Sequence, residues 1–208
     1  MKIPYLTRFA RQIDLADLQP EDINWHDIAE RLATLARFNK GHAGPPFSVA
    51  QHCVMGADAL WRETETAALA AQFLLHDAHE AFIGDITTPV AEALNRAHRN
   101  LGCIAGATHT AIAGIKTDLD MRVYACAGIT HPLLSPPAHE AIADMDERML
   151  RVEAEFLFGM DAIRDWPTSD LPRPRLAGPL KQWPWPKAAD EWLKRFGRYV
   201  GRPAEEAA

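Results

Sequence analysis

The chain has 208 residues, of which 48% are hydrophobic and 24% charged, and its formal net charge is −6 at pH 7. These ordinary globular values predict one domain over residues 1–208 with a sizeable core. The negative charge argues against a nucleic-acid partner, which would need a basic face. No run approaches the roughly 18 apolar residues of a membrane span, and no secretory signal is visible. We therefore expect a cytoplasmic protein without membrane contact.

The first part of the chain has helical periodicity. Residues 22–38 open with acidic side chains and carry apolar residues on one face, which predicts a helix. A loop rich in glycine and proline follows at residues 41–46. Ser48 is a suitable N-cap for a second helix over residues 49–60. A third helix is predicted over residues 66–82.

The second part is also predicted to be helical. Gly84 breaks the third helix, and Thr88-Pro89 can start the next one because proline is favoured near the first helical position. Further helices are predicted over residues 100–115, 119–127 and 138–158. The small residues of 100–115 suit close packing, either within the monomer or at the face of a homodimer, and the sequence leaves both open. No strand alternation is long enough for a sheet, so we predict an all-α fold.

The composition of the chain changes after residue 160. Six prolines between residues 165 and 187 exclude a continuous helix and predict an extended arm. Trp183 and Trp185 need burial, so we expect residues 161–208 to wrap a helical core of about residues 22–160. A last helix is predicted from Pro186, and residues 202–208 are expected to fray. The inward-facing residues of this helix should be Trp192, Leu193 and Phe196.

The most informative segment is residues 75–89, which places His76, Asp77, Glu80 and Asp85 within about three helical turns. It follows a strongly apolar stretch that is typical of a core helix. Charged groups at the end of such a helix need partners, because burying an unpaired carboxylate is costly. A divalent metal is a suitable partner for an imidazole beside a carboxylate. The alternative is a helix that frays into a polar surface turn.

Further ligands for a metal are available on other predicted helices. His52 lies among small and apolar neighbours, and Asp146 lies in the helix 138–158. Taken alone, each is more often a core or surface residue than a ligand. Their joint occurrence with His76-Asp77 is what favours a site, because three separate helices can converge on one point. Asp144 is the rival of Asp146.

The order His52, His76-Asp77, Asp146 resembles the HD-domain superfamily of metal-dependent phosphohydrolases. The detail resembles its 5′-deoxynucleotidase-like branch, and the similarity spans nearly the whole chain. The strongest matches are Ser48-Val-Ala-Gln-His52, residues 75–90 and Asp146-Glu-Arg-Met-Leu-Arg-Val-Glu153. Weaker matches are Asp27-Ile-Ala-Glu-Arg-Leu32, Arg37-Phe-Asn39 with the Gly41-His42 loop, and Trp185-Pro-Lys-Ala-Ala189.

The resemblance implies a helical bundle that holds one divalent cation through His52, His76, Asp77 and Asp146. Asp146 is preferred to Asp144 because the residues after it match the family pattern. Mixed nitrogen and oxygen ligands suit Mn, Co, Fe, Ni, Zn or Mg. Four protein ligands leave positions for water and a phosphate oxygen, as in a catalytic site.

The resemblance also implies roles for the surrounding residues. Glu80 and Asp85 would be the candidates for the catalytic acid and base, and the sequence does not assign which of them activates water. The alternative for Glu80 is a surface carboxylate that caps the helix end. Arg37 would bind the phosphate, although an arginine at a helix end can simply complement the helix dipole. Thr88 would approach the sugar or cap its helix. Phe38 or Trp61 could stack on a base, with a core role as the alternative for each.

Two histidines fall outside this ligand set. HD proteins with two metals use additional histidines, but the spacing of such sites is missing here, so we expect one metal. His79 stands where a small residue is common in the family, and a supporting or an exposed position would explain it. His42 is likewise unassigned.

The implied function is a phosphomonoesterase acting on a small phosphorylated metabolite, most simply a (deoxy)nucleoside 5′-monophosphate. One alternative is hydrolysis of a phosphodiester or a nucleotide pyrophosphate. Another is a nucleotide-binding regulatory module without catalysis.

Overall fold

The structure is a computed structural model that describes residues 2–7, 11–102, 104–164 and 172–201. The helices are α1 (Trp25–Thr34), α2 (Val49–Thr64), α3 (Ala67–Leu75), α4 (Glu80–Ile83), α5 (Thr88–Asn100), α6 (Ala107–Cys126), α7 (Pro136–Phe158) and α8 (Trp185–Arg195). Short 3₁₀ turns occupy Pro20–Asp22, Arg37–Lys40, Pro132–Leu134 and Met160–Ile163, and a π-helical turn at Phe196–Val200 continues α8. The predicted all-α fold is confirmed.

Helix α2 lies at the centre of the bundle and packs against α1, α3, α7 and α8. It begins where predicted, because the Ser48 hydroxyl accepts a hydrogen bond from the Gln51 backbone N–H at 3.2 Å. Its contact with α3 is close: a Cβ atom added at Gly56 would lie 2.1 Å from Phe73 Cε1. A larger residue would have to displace the Phe73 ring, so glycine allows this close approach of α2 and α3.

Several predicted boundaries are wrong. The helix expected over 66–82 stops at Leu75, turns through residues 76–79 and resumes as the single-turn α4. The helices expected over 100–115 and 119–127 are instead one helix, α6, and residue 100 is the end of α5. Gly102 and Gly106, which have φ angles of +80° and +82°, interrupt the helical path between α5 and α6.

The first predicted helix is shorter than expected, and a small sheet precedes it. Helix α1 ends at Thr34, and Leu35 has an extended backbone. Further along, the residues of Phe38–Lys40 have left-handed backbones. Strands β1 (Pro4–Leu6) and β2 (Gln12–Asp14) pair antiparallel. Each strand has three residues, too few for a recognisable alternation.

The arm predicted after residue 160 lies against the bundle in its described part. The Gln51 side chain of α2 donates to the Lys181 carbonyl at 2.7 Å and accepts from the Trp183 N–H at 2.9 Å. Trp192 and Phe196 are buried as predicted, and Leu193 is half-buried. The expected burial of Trp185 is wrong, because its side chain is 46% exposed. The structure does not describe residues 165–171 of the arm or residues 202–208, for which fraying is predicted.

Within the described ranges, no helix combines the length and the apolar character needed to cross a membrane.

An ion pair between Glu63 of α2 and Arg148 of α7 also holds the arm, because Arg175 of the arm contacts Glu63. Arg148 donates from Nη1 and Nη2 to the two Glu63 oxygens at 2.8 and 2.7 Å, and the Arg175 N–H donates to Glu63 at 2.8 Å. Burial raises the pKa of Glu63, but these donors reverse the effect and hold the pKa below its ordinary value of 4.5. A bidentate pair with a third donor is a strong form of carboxylate binding.

We predict that Glu63→Gln lowers the free energy of unfolding at pH 7 by about 1–2 kcal/mol. This figure allows for the weakening of the ion pair by solvent at its partly exposed position. Because the folded-state pKa is lowered, the carboxylate contributes fully above pH 4.5 and loses its contribution as the pH falls through the folded pKa. Urea unfolding of both proteins should therefore show a difference that shrinks below pH 4.5. Glu65→Gln, at an exposed neighbour, is the control. A difference independent of pH would contradict the assignment.

Candidate metal centre

Three elements meet at a cluster of imidazoles and carboxylates. His52 projects from α2, His76 and Asp77 from the turn after α3, and Asp146 from α7. His52 Nε2 lies 3.4 Å from His76 Nε2 and 3.2 Å from Asp146 Oδ1. Asp77 Oδ2 lies 3.2 Å from His76 Nε2 and 3.9 Å from His52 Nε2. The structure thus places the four proposed ligands next to one another, with His52, His76 and Asp146 in one group of converging ligand atoms and Asp77 in another group with Cys53 and His76.

The donor set fits a divalent cation. Ligands about 2.1 Å from such an ion lie roughly 3.0–3.4 Å apart at adjacent positions, close to the separations seen here. Asp146 Oδ1 is buried and, among the described residues, has no hydrogen-bond partner. Among the described residues, Asp144, the rival ligand, belongs to no group of converging ligand atoms. The two residues lie two positions apart on α7, so their side chains point in different directions.

Both imidazoles are held with Nε2 towards the cluster. His52 Nδ1 is 2.7 Å from Glu153 Oε1, and His76 Nδ1 is 2.7 Å from the Phe73 carbonyl oxygen. An acceptor at Nδ1 places the proton on that nitrogen in the neutral ring and leaves the Nε2 lone pair for a ligand bond. The orientation of the rings is therefore that of paired metal ligands.

The field of the cluster attracts positive charge. Burial lowers the pKa of His76, yet the Asp77 and Asp146 carboxylates raise this pKa well above its ordinary value. Burial and Arg37 lower the pKa of His52, while Glu153 and Asp146 outweigh them and raise it. Burial raises the pKa of Asp146, but the neighbouring His52 and His76 imidazoles bring it well below the usual range. The same carboxylates would favour a metal ion in place of protons.

Arg37 lies beside the cluster rather than at a free helix end. Its Nε is 2.7 Å from Glu153 Oε2, Nη1 is 3.7 Å from Asp77 Oδ2, and Nη2 is 3.9 Å from Asp146 Oδ1. The alternative that Arg37 only complements a helix dipole is wrong, because α1 already ends at Thr34. The three residues after Arg37 have left-handed backbones, at a cost of roughly 1–2 kcal/mol per non-glycine residue.

A cavity of about 740 Å³ opens next to the cluster. This volume is in the range of small-molecule sites. Asp77 and Asp146 border it from the cluster side, and Arg37, Glu80 and Asp85 border it from the turns around the cluster. The rest of the wall consists of Phe38, Asn39, Ile86, Thr87, Thr88, Pro89, Val90, Lys116, Leu150 and Phe158.

Glu80 and Asp85 face this cavity with altered acidity. Burial, reinforced by the Asp77 and Asp85 carboxylates, raises the pKa of Glu80 to about 9. Burial also raises the pKa of Asp85, with Arg37 opposing the effect. Glu80 Oε2 is buried without a hydrogen-bond partner among the described residues. Glu80 reaches the cavity although the helix breaks before it, so the predicted continuous helix face is not what places it there.

The residues proposed to contact substrate divide into two groups. Phe38 and Thr88 line the cavity. Thr88 is the first residue of α5, and the N-cap position belongs to Thr87, so the capping role considered for Thr88 is wrong. Trp61 does not line this cavity, and its ring lies 6.1 Å from that of Tyr199, centroid to centroid. Trp61 packs against the hydrophobic core, which agrees with the core role considered as the alternative.

His79 and His42 are both buried. His79 Nδ1 is 2.9 Å from Asp120 Oδ2, and a ring nitrogen of His79 lies within 4.8 Å of oxygens of Asp77 and Glu80. His79 Nε2 has no hydrogen-bond partner in the part of the chain that the structure describes. His79 is thus neither exposed nor remote, and with Asp77 and Glu80 it forms a further group of potential ligands. His42 Nδ1 is 2.8 Å from the adjacent Ala43 carbonyl oxygen.

Sequence reasoning missed Glu153 as a member of the site, although it belongs to the matched motif. Its carboxylate is 0% exposed and contacts both His52 and Arg37. The signal was its position seven residues after Asp146, which is two helical turns and therefore the same face of α7. Asn39 and Lys116, which also border the cavity, had no such signal.

We predict that Asp146→Asn weakens binding of Mn²⁺ by at least about tenfold, because an amide replaces a charged oxygen donor. Isothermal titration calorimetry on metal-stripped protein measures this. Asp144→Asn, the same change two residues earlier on the same helix, should leave the affinity unchanged. Equal losses in the two variants would contradict the assignment of Asp146.

No family model matches the chain. The uncharacterized protein RCAP_rcc00048 of Rhodobacter capsulatus is 33% identical over 157 residues, which are 72% of this chain and 70% of the relative. The uncharacterized protein YfdR of Escherichia coli is 36% identical over 77 residues, which are 37% of this chain and 40% of that relative. With that identity and coverage, the chain belongs to the same family as the Rhodobacter capsulatus protein.

Proposed function

We propose that this chain is a metal-dependent phosphohydrolase of the HD-domain superfamily and that it hydrolyses a (deoxy)nucleoside 5′-monophosphate. One observation carries the proposal: carboxylates of a four-residue metal cluster, the Arg37 guanidinium and two carboxyls of raised pKa border a single cavity. A cation site, a phosphate-binding cation and proton-transfer groups are the parts that phosphomonoester hydrolysis needs.

His52, His76, Asp77 and Asp146 would hold the metal, and nitrogen and oxygen donors of this kind leave its identity open among Mn, Co, Fe, Ni, Zn and Mg. When bound, such an ion supplies a more acidic water and polarises the phosphoryl group. Arg37 supports phosphate binding because its Nη1 and Nη2 groups lie only 3.7 and 3.9 Å from Asp77 and Asp146. A planar guanidinium at that place can grip two phosphate oxygens.

Glu80 is the better candidate for the proton donor. In the metal-free site, burial and the Asp77 and Asp85 carboxylates raise the pKa of Glu80, which favours the protonated form that a proton donor needs. As water attacks phosphorus and the P–O5′ bond breaks, this proton would go to the leaving 5′-oxygen, which departs as a hydroxyl group. Asp85, on the same wall, would accept the proton of the attacking water.

One wall of the cavity suits a nucleoside. Phe38 and Phe158 lie edge to face with ring centroids 5.4 Å apart, and Leu150 adds an apolar surface beside them. An aromatic base can pack on such a wall. Asn39 donates to the Thr87 hydroxyl at 3.4 Å, and both offer polar groups to a sugar or base. These features support a nucleotide over a small aliphatic phosphate.

A second candidate function is hydrolysis of a phosphodiester or a nucleotide pyrophosphate. The observation that favours it is the group of Asp77, His79 and Glu80, in which the buried His79 and Glu80 each have an atom without a hydrogen-bond partner among the described residues. A second cation there would share Asp77 with the first, as in two-metal phosphohydrolysis. Metal stoichiometry separates the two functions.

We predict phosphate release from nucleoside and deoxynucleoside 5′-monophosphates when metal-stripped protein receives Mn, Co, Mg or Zn in turn. Asp77→Ala, which removes a ligand and not the phosphate-binding arginine, should abolish release with every metal. Release only from diesters or pyrophosphates would support the second candidate. Tight nucleotide binding without turnover would indicate a regulatory module and contradict both hydrolases.

We predict that Glu80→Gln lowers kcat by about 10²–10⁴-fold, because an amide of similar size cannot donate the proton to the leaving oxygen. The affinity and stoichiometry of Mn²⁺ should stay unchanged in calorimetry. A drop from two bound ions to one would instead make Glu80 a metal ligand and favour the second candidate. An unchanged kcat would exclude Glu80 as the proton donor.

A further inference from the structure

Glu153 lies at the junction of the metal cluster and the phosphate-binding arginine. It belongs to α7, and its side chain is 0% exposed. A carboxylate in such a place is costly to bury unless both oxygens are compensated. Each oxygen here faces a different partner, and each partner belongs to a different part of the proposed site.

The first oxygen orients a metal ligand. Glu153 Oε1 is 2.7 Å from His52 Nδ1, which fixes the ring and directs Nε2 towards Asp146 and His76. Carboxylate support of this kind raises the basicity of a ligand histidine. His52 is itself fully buried, so solvent cannot replace this acceptor.

The second oxygen holds the arginine. Glu153 Oε2 is 2.7 Å from Arg37 Nε, while Nη1 and Nη2 lie at the longer distances of 3.7 and 3.9 Å from Asp77 and Asp146. The ion pair is therefore closest at the Nε edge of the guanidinium, where the two charges meet without hydrogen-bond geometry among the described residues, and it leaves the two terminal nitrogens for a phosphate. Without this pair, Arg37 would be drawn to the metal-binding carboxylates instead.

We propose that Glu153 is a positioning residue that couples metal binding to phosphate binding. This inference rests on the proposed function, because it takes Arg37 as the phosphate-binding group. A single rigid carboxylate sets the orientation of His52 and of Arg37 together, so a change on one side shifts the other. Binding linkage is reciprocal, and a bound metal should therefore favour phosphate as much as phosphate favours the metal.

The test uses Glu153→Gln in the full chain, with Glu155→Gln as the matched control. Glu155 is on the same helix and is also paired with arginines, Arg151 at 3.3 Å and Arg173. Calorimetry measures Mn²⁺ binding to stripped protein and then binding of inorganic phosphate to the Mn²⁺-loaded protein. Neither measurement needs turnover, so a failed phosphatase assay and a failed coupling remain distinguishable.

We expect Glu153→Gln to weaken Mn²⁺ binding by about 10–100-fold, as for other supporting partners of ligand histidines. Phosphate affinity should fall by about tenfold, the scale of one charge-assisted contact. Glu155→Gln should change neither. In an Arg37→Gln background, Glu153→Gln should cause no further loss of phosphate affinity while still weakening Mn²⁺ binding.

The proposal is overturned if Glu153→Gln alters the two affinities no more than Glu155→Gln does. It is also overturned if the phosphate losses of Glu153→Gln and Arg37→Gln simply add. Should Glu153→Gln fail to fold by circular dichroism, Glu153→Asp replaces it. That variant keeps the charge but is one methylene too short to reach both partners, so both affinities should fall together, and intact affinities would refute the coupling.

Discussion

The site depends on the burial of several charged groups at one point in an apolar bundle. His52 and Glu153 are fully buried, and Asp77 and Asp146 lie beside them within hydrogen-bonding range of imidazole nitrogens. Carboxylates cannot remain charged in such a place without cations, so each is matched by an imidazole or by Arg37. This requirement explains why the surrounding pKa values are displaced and why a divalent metal suits the cluster.

The interruption between α3 and α4 gives the site its geometry. An uninterrupted helix would have continued past Leu75, with His76 and Asp77 on its last turns. The turn at residues 76–79 instead lets His76 and Asp77 face α2 and α7 while Glu80 faces the cavity. The close contact at Gly56 holds α3 against α2 and so sets the distance between His52 and His76.

The parts of the proposed site are connected rather than independent. Arg37 sits between the metal cluster and the cavity, and Glu153 joins it to His52. The raised pKa of Glu80 arises from burial and from the carboxylates of Asp77 and Asp85, so its acidity also depends on the cluster. In the proposed hydrolase, binding of the metal, grip on the phosphate and proton donation would therefore influence one another.

The sequence by itself determined the helical fold and the identity of the chemical groups, because periodicity and local residue order are properties of neighbours along the chain. Residues His52, His76-Asp77 and Asp146 could be named from it, but their separations could not. Tertiary structure decided where the helices end, since the left-handed glycines at 102 and 106 act through backbone geometry. It also decided that Trp61 does not line the cavity and that Glu153 contacts His52 and Arg37, each of which lies more than 100 residues before it in the chain. Contacts of that range depend on how the helices pack, which no local pattern encodes.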